Sequence, residues 1–176
     1  MYIETERMII RDFMVDDWKD LHEILSDPIV MEKCEPAYTP EQTKSFLSEF
    51  CIGKKGAFAA VLRENHKVIG DVLFHAYSKG VYEIGWFFNR AYWRRGYAQE
   101  ACQAVIDYAF QELDAHKLFA ETIDAVRSVG MMKKLGMQPE GIQKSQVRDP
   151  AGNWCDLHLY GLLKEDWNRR RNGNGI

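Results

Sequence analysis

A basic loop with one glycine, Tyr92-Trp93-Arg94-Arg95-Gly96-Tyr97-Ala98, connects an aromatic segment to a long amphipathic segment. The N-terminus of a helix presents unpaired backbone N–H groups and the positive end of the helix dipole, which together attract phosphates. Because Gly96 has no Cβ, the main chain there can approach an anion closely. The loop is therefore a candidate site for a phosphorylated cofactor, although Arg-Arg-Gly stretches also occur as ordinary exposed loops.

Glu83 is the residue whose surroundings best suit it to accept a proton. It stands in the otherwise apolar segment 81–88, where a carboxylate is costly to bury without a purpose. This placement predicts a general base that acts through a water. The alternative is that Glu83 lies on the solvent-exposed face of its strand or holds a neighbouring loop.

The composition is that of a globular protein with a single domain. The chain has 176 residues, of which 46% are hydrophobic and 28% charged, so it can bury a core without disulfides or metal. We expect one domain over residues 1–176. The segment 171–176 is rich in Asn and Gly and is expected to be a frayed tail.

Charge and cysteine usage exclude several classes of partner. The net charge of −3 gives no general footprint for nucleic acid or membrane, and no apolar run approaches the ~20 residues of a membrane helix. The four cysteines form no Cys-x-x-Cys pair, and the five histidines lack metal-ligand spacing. With no secretory segment at the N-terminus, we expect a cytoplasmic protein with reduced thiols, no metal, no membrane and no direct nucleic-acid partner.

The elements that must position these residues follow from hydrophobic periodicity and capping signals. The order predicts a mixed α/β sheet, mostly antiparallel, with a parallel pair wherever a helix crosses over between strands. Thr39-Pro40-Glu41-Gln42 predicts a helix start. The predicted strands are residues 2–13, 57–62, 68–77, 81–88, 118–123, 137–147 and 154–162, and the predicted helices begin after Asp17, after Thr39, at 97 and at 126.

This order resembles the GNAT superfamily of acetyl-CoA-dependent N-acetyltransferases. The resemblance is closest to the branch that acetylates the N-terminal (alanine) amine of ribosomal proteins, and it covers nearly the whole chain. It implies a central, mostly antiparallel twisted sheet of about seven strands flanked by four helices. The segments that carry it are Glu4 to Arg11, Tyr82 to Asn89, Arg94 to Ala98, Lys134 to Met137, and Asp156 to Tyr160 with Leu163 and Trp167.

The resemblance also implies how acetyl-CoA is bound. The main-chain N–H groups of Arg94, Arg95, Gly96, Tyr97 and Ala98 would hold its pyrophosphate. The strand residues Trp86, Phe87 and Phe88 would run beside pantetheine, and one of their N–H groups would donate to the thioester carbonyl. The alternative for these three aromatic side chains is plain core packing.

The family position of Ser128 makes it the candidate acid that protonates the departing thiolate, with no acyl-enzyme and no metal involved. The alternative is that Ser128 caps the N-terminus of its helix. The chain departs from the family pattern at Ala125, where an Asn often helps to hold the pantetheine arm. No Tyr occurs between residues 124 and 137, although many relatives use one in this helix.

The acceptor is the least determined part of this hypothesis. The resemblance implies a primary amine, with the N-terminal α-amine of a protein (ribosomal by analogy) leading. The alternatives are a polyamine, an aminoglycoside or an amino acid, or a non-catalytic acyl-CoA-binding module. Residues 14–53 and the loop 148–154 are expected to determine specificity. The many aromatic residues of the last strands make a homodimer plausible.

Overall fold

One sheet of eight strands organises residues 1–173, the part of the chain that the computed structural model describes. Its strand order is β1-β2-β3-β4-β5-β6-β8-β7. The strands are β1 (Tyr2–Glu4), β2 (Met8–Asp12), β3 (Ala57–Leu62), β4 (Val68–Ser78), β5 (Val81–Phe88), β6 (Lys117–Thr122), β7 (Gln138–Arg148) and β8 (Trp154–Leu163).

Six α-helices connect and cover these strands in the described residues. They are α1 (Trp18–Leu25), α2 (Pro28–Met31), α3 (Pro40–Ser45), α4 (Tyr97–Gln111), α5 (Arg127–Lys134) and α6 (Lys164–Gly173). Helix α6 continues through residues 171–173 of the expected frayed tail, and residues 174–176 lie outside the described part. None of the helices in residues 1–173 is long and apolar enough to cross a membrane.

The mostly antiparallel sheet confirms the predicted fold class. Among the described strands only β5 and β6 are parallel neighbours, and α4 forms the crossover between them. This one crossover places the N-terminus of α4 at the end of β5, which is where the candidate cofactor loop lies.

Hydrophobic clusters cover both faces of the sheet. One cluster packs α4 against the sheet through residues such as Val72, Ile84 and Phe110. The other packs α1 and the segment after α3 against the opposite face, through residues such as Ile24 and Leu47. Since side chains alternate along a strand, β5 sends Tyr82, Ile84, Trp86 and Phe88 to the α4 face and Glu83, Gly85 and Phe87 to the other.

The N-terminal segment differs from the single strand predicted over residues 2–13. It forms two antiparallel strands, because the Thr5 N–H donates to the Met8 carbonyl (2.9 Å) and the Met8 N–H donates to Thr5 Oγ1 (3.0 Å). This turn gives eight strands where about seven were expected. The short helix α2 and the terminal helix α6 raise the helix count from four to six.

The predicted helix start at Thr39 is confirmed, but the helix changes type along its length. Thr39 Oγ1 accepts from the Gln42 N–H (3.2 Å), while Gln42 Oε1 accepts from the Thr39 N–H (2.8 Å). After α3 the chain continues as a wider π-helix over Phe46–Gly53. Segments of this type are uncommon and often lie at functional sites.

Candidate active site

An opening between β5 and β6 forms the centre of the site. The parallel pairing covers only Val81 to Glu83 of β5, while β5 stays paired with β4 as far as Phe88. The second half of β5 therefore has a strand neighbour on one edge and faces the opening with the other. Main-chain hydrogen-bonding groups on that free edge are available to a bound molecule.

The direction of the backbone identifies which groups of β5 face the opening. The Asn89 N–H donates to the Ile69 carbonyl on β4 (2.8 Å). Because successive N–H groups of a strand alternate between its two edges, the N–H of Phe87 also points to β4, and those of Trp86 and Phe88 point to the opening. The Phe88 carbonyl is already used, since Trp93 Nε1 donates to it (2.7 Å).

A cavity of about 510 Å³ occupies this opening and reaches the N-termini of α4 and α5. Of the predicted site residues, it is lined by Trp86, Phe87, Phe88, Arg94, Gly96, Tyr97, Ala98 and Ser128. Arg95 and Glu83 are not among the lining residues. The structure thus brings the two predicted halves of the cofactor site together around one cavity, with Ser128 on the α5 side.

The loop before α4 has the backbone shape expected of an anion site. Arg94 and Gly96 both have positive φ, 60° and 82°. Gly96 adopts the left-handed conformation at the N-cap, and no side chain caps α4. The first N–H groups of α4 are therefore free for a ligand, and Gly96, Tyr97 and Ala98 line the cavity beside them.

A buttress formed by Arg7 and Glu100 supports this loop, and the sequence analysis did not identify it. Glu100 in the first turn of α4 accepts hydrogen bonds from Arg7 Nε (2.7 Å), the Arg7 N–H (2.9 Å) and Thr5 Oγ1 (2.6 Å). Arg7 Nη1 also donates to the Arg95 carbonyl (2.8 Å), and its guanidinium lies 4.2 Å from the centre of the Tyr97 ring. Burial opposes ionisation of Glu100, but these hydrogen bonds outweigh it and lower its pKa.

Arg95 does not line the cavity. Its guanidinium lies 5.9 Å from the centre of the Tyr92 ring, and its carbonyl is the group that Arg7 holds. The main chain of Arg95 is thus held in the loop by Arg7. Arg94 is the one of the two arginines that lines the cavity.

Asp124 caps the start of α5, so Ser128 is not needed as a cap. Asp124 Oδ1 accepts from the N–H groups of Val126 (3.0 Å) and Arg127 (2.8 Å), and Asp124 Oδ2 accepts from Arg127 Nε (2.8 Å). Burial opposes ionisation of Asp124, but these hydrogen bonds lower its pKa. The cap therefore comes from the residue before Ala125, and the Ser128 side chain is one of the groups that line the cavity.

Arg127 ties the cofactor side of the site to the segment after α2. Its guanidinium pairs with Glu32 as well as Asp124, and it lies 5.5 Å from the centre of the Trp93 ring. Arg127 also lines the cavity. Periodicity alone could not reveal this bridge, because its residues are distant in sequence and each reads as an ordinary surface charge.

Glu83 lies beside the opening on the face of the sheet opposite α4. Its Oε2 atom is 3.0 Å from Nε2 of His75 on β4, and its side chain is 26% exposed. Glu121 on β6 lies near it, and burial followed by the negative charge of Glu83 raises the pKa of Glu121. Glu83 is therefore partly exposed and is paired with a residue of the neighbouring strand, not with a loop.

The three aromatic residues of β5 both pack in the hydrophobic clusters and line the cavity. Phe88 is buried and packs over Gly70, where a Cβ would lie only 2.5 Å from its ring. Trp86 and Phe87 are half-buried against opposite clusters. All three line the cavity, so core packing and a place beside the ligand are compatible.

Among the described residues, no group of three or more His, Cys, Asp or Glu side chains could hold a metal ion.

Comparisons with known proteins agree with this geometry. A family model described as an acetyltransferase (GNAT) domain matches residues 7–138. The chain is 38% identical over 172 residues to the uncharacterized N-acetyltransferase YnaD of Bacillus subtilis (strain 168), covering 96% of this chain and 100% of that protein.

Solved structures give the same result. An acetyltransferase (GNAT family) from Bacillus anthracis superposes with a TM-score of 0.87 at 35% identity, over 94% of this chain and 99% of that one. A ribosomal-protein-S5-alanine acetyltransferase from Vibrio fischeri superposes with a TM-score of 0.79 at 22% identity, over 95% of this chain and 98% of that one. At that identity the second likeness concerns the fold.

Proposed function

The chain belongs to the GNAT family of acetyltransferases, and from this premise we propose that its acceptor is the N-terminal α-amine of a protein. The family assignment makes it an acetyl-CoA-dependent N-acetyltransferase. The observation that carries the assignment of the site is the convergence of the uncapped N-terminus of α4 and the free edge of β5 on one cavity.

Acetyl-CoA supplies an acetyl group already activated as a thioester, and the residues of the chain supply orientation and proton transfer. The first N–H groups of α4 would hold the pyrophosphate. The N–H of Trp86 faces the opening and is the candidate donor to the thioester carbonyl as its oxygen gains charge.

Two side chains would move the protons. Glu83, through a water, would take the proton that the amine loses as its nitrogen bonds to the acetyl carbon. The C–S bond then breaks, and the Ser128 hydroxyl on the α5 side would deliver a proton to the departing thiolate. Glu83 would then release its proton to solvent, and solvent would restore the Ser128 hydroxyl, so that one proton passes in total from the amine to the sulfur.

We expect an extended acceptor to contact two segments of the chain. The segment after α2 lies close to the tip of the β7–β8 hairpin: the pKa of Asp149 is lowered by hydrogen bonds from Asn153 and, to a smaller extent, by the charge of Lys33. Both segments fall within the regions expected to determine specificity.

A small cationic amine is the second candidate, and one observation favours it. The carboxylates of Glu83 and Glu121 lie close enough for the charge of Glu83 to raise the pKa of Glu121. Paired carboxylates beside the opening would attract a polyamine as well as a peptide amine.

We also propose that the protein acts in the cytoplasm, since the cysteines of residues 1–173 are all free.

Mass spectrometry of the products would distinguish the two acceptors. Peptides with free Ala, Ser or Met N-termini would be compared with N-terminally blocked peptides that carry a lysine, and with spermidine. We expect the acetyl group on the α-amine of the free peptides. Faster acetylation of spermidine or of the blocked peptides would contradict the proposed acceptor and leave the family assignment unchanged.

A further inference from the structure

We propose that His75 is a positioning residue that holds the Glu83 carboxylate in the orientation from which it takes the acceptor's proton. The proposal rests on the role proposed above for Glu83. Nothing in the sequence pattern pointed to His75, which reads as one polar residue in a long strand.

The side chains of His75 and Glu83 pair directly. His75 on β4 stands opposite Glu83 on β5 in the antiparallel register, and its Nε2 atom lies 3.0 Å from Glu83 Oε2. The contact engages one carboxylate oxygen, so Oε1 is left to face a water or the amine. Both side chains are partly exposed, 34% and 26%, so the pair is within reach of an acceptor.

The His75 ring is itself held in place by an aromatic neighbour. Phe50 of the π-helix meets it edge to face, with ring centres 5.9 Å apart and planes at 82°. Phe50 in turn stacks on Phe46, with ring centres 5.2 Å apart. Its ring also rests on Gly56, where an added Cβ would lie 2.5 Å from the ring. The π-helix thus fixes a ring that orients His75.

Glu83 needs such a partner, because a second carboxylate lies near it. Glu121 on β6 lies on the other side of Glu83, close enough for the charge of Glu83 to raise its pKa. Lys117, on the same face of β6, is engaged by Glu140 at 2.7 Å. Within residues 1–173, His75 is the one basic side chain that pairs with Glu83. Without it, repulsion from Glu121 would favour other rotamers of Glu83.

Steady-state thiol release would test the proposal in a double-mutant cycle of His75→Leu and Glu83→Gln. We expect His75→Leu to lower kcat about tenfold and to change the KM for acetyl-CoA less than about twofold, since the cofactor cavity does not include His75. His75→Gln keeps an N–H donor, so its kcat should be about threefold higher than that of His75→Leu. In the Glu83→Gln background, His75→Leu should have no further effect.

The possible results distinguish a failure of the role proposed for His75 from a failure of the base role proposed for Glu83. Equal losses from His75→Leu in the wild-type and Glu83→Gln backgrounds would mean that His75 supports the fold, and an unchanged kcat would equally overturn the inference. If Glu83→Gln keeps the wild-type kcat, the proposed base role fails and the inference with it. His116→Leu, which replaces an exposed histidine in the loop after α4, is the matched control and should change neither constant.

Discussion

Asp71 on β4 is a carboxylic acid buried in the core with no hydrogen-bond partner. It is fully buried, and neither side-chain oxygen has a partner within residues 1–173. Burial raises its pKa from 3.8 to about 7, although the nearby N–H groups of Asp71 itself and Phe87 act in the opposite direction. Neither N–H group meets the geometry of a hydrogen bond, so the carboxyl is stable in the core mainly in its neutral form.

Asp71→Asn should remove a pH dependence of stability. The native state holds the proton of Asp71 more tightly than the unfolded chain does, so this group destabilises the fold progressively as the pH rises from about 4 to about 7. The full penalty, present above about pH 7, is at most about 4 kcal/mol, from 3.8 to about 7 at 1.36 kcal/mol per pH unit. Urea unfolding at pH 5 and pH 8 should show Asp71→Asn more stable than the wild type at pH 8, with a smaller difference at pH 5.

Asp16→Asn is the control for this prediction, because Asp16 is an exposed residue with the same chemistry. It should leave the wild-type pH dependence intact. A wild type whose unfolding free energy is the same at both pH values would contradict the assignment of a raised pKa to Asp71.

Asp71 shows that the sequence pattern alone could not single out Glu83 as the base. Each is a single acid in an apolar strand, and the reasoning that selected Glu83 as a base applies equally to Asp71. What distinguishes them is position: Glu83 lies beside the opening between β5 and β6, whereas Asp71 lies between Ala59 and Phe87 inside the sheet. No single-sequence pattern contains that difference.

At the scale of elements, the N-terminal hairpin supports the cofactor loop through Arg7. We expect Arg7→Ala to raise the KM for acetyl-CoA about tenfold, because losing a charge-assisted hydrogen bond costs about 1.5 kcal/mol or more. The change in kcat should be smaller, since Arg7 lies outside the cavity. Initial rates over a range of acetyl-CoA concentrations would measure both constants.

Arg63→Ala is the matched control for the loop support. Arg63 also contacts the hairpin, through Nη1 and the Thr5 carbonyl (3.1 Å), but its side-chain contacts do not include the loop. It should leave the KM unchanged. If both variants raise the KM equally, the hairpin acts through general stability and not through Glu100 and the Arg95 carbonyl.

Most elements were predictable because their signals are local. The bounds of β5 match the prediction, and the capping pair at Thr39 and Gln42 forms as the sequence indicated. The π-helix was not predictable, because Phe46, Leu47, Phe50 and Cys51 have the spacing of three and four residues that an α-helix also has. The hairpin at Thr5 was missed because its turn has no Gly, Pro or Asn.

The candidate site was predictable as far as it is formed by contiguous residues. Arg94 and Gly96 to Ala98 of the loop line one cavity together with the strand residues Trp86 to Phe88, whereas Arg95 does not line it. The buttress joins Arg7 to Glu100 across 93 positions of the chain, and His75 meets Glu83 only because β4 pairs with β5. Such pairings depend on the tertiary fold, and no pattern within one segment specifies them.

At the scale of the whole molecule, one sheet with a hydrophobic cluster on each face connects the chain from Tyr2 to Leu163. This continuity supports the single domain that the sequence predicts. The homodimer also stays a prediction. Strand β7 lies at an edge of the sheet, and Ile142 and Trp154 of its hairpin are 52% and 59% exposed, which makes this edge the place to look for a second copy.

The most direct test of the account is release of free thiol from acetyl-CoA by the purified protein, with and without an amine. The panel would hold a peptide with a free N-terminus, spermidine, an aminoglycoside and a single amino acid. We expect release that depends on the amine, saturates with the peptide and falls in Ser128→Ala. Binding of acetyl-CoA with no thiol release for any of these amines would contradict acetyl transfer to an amine at this site.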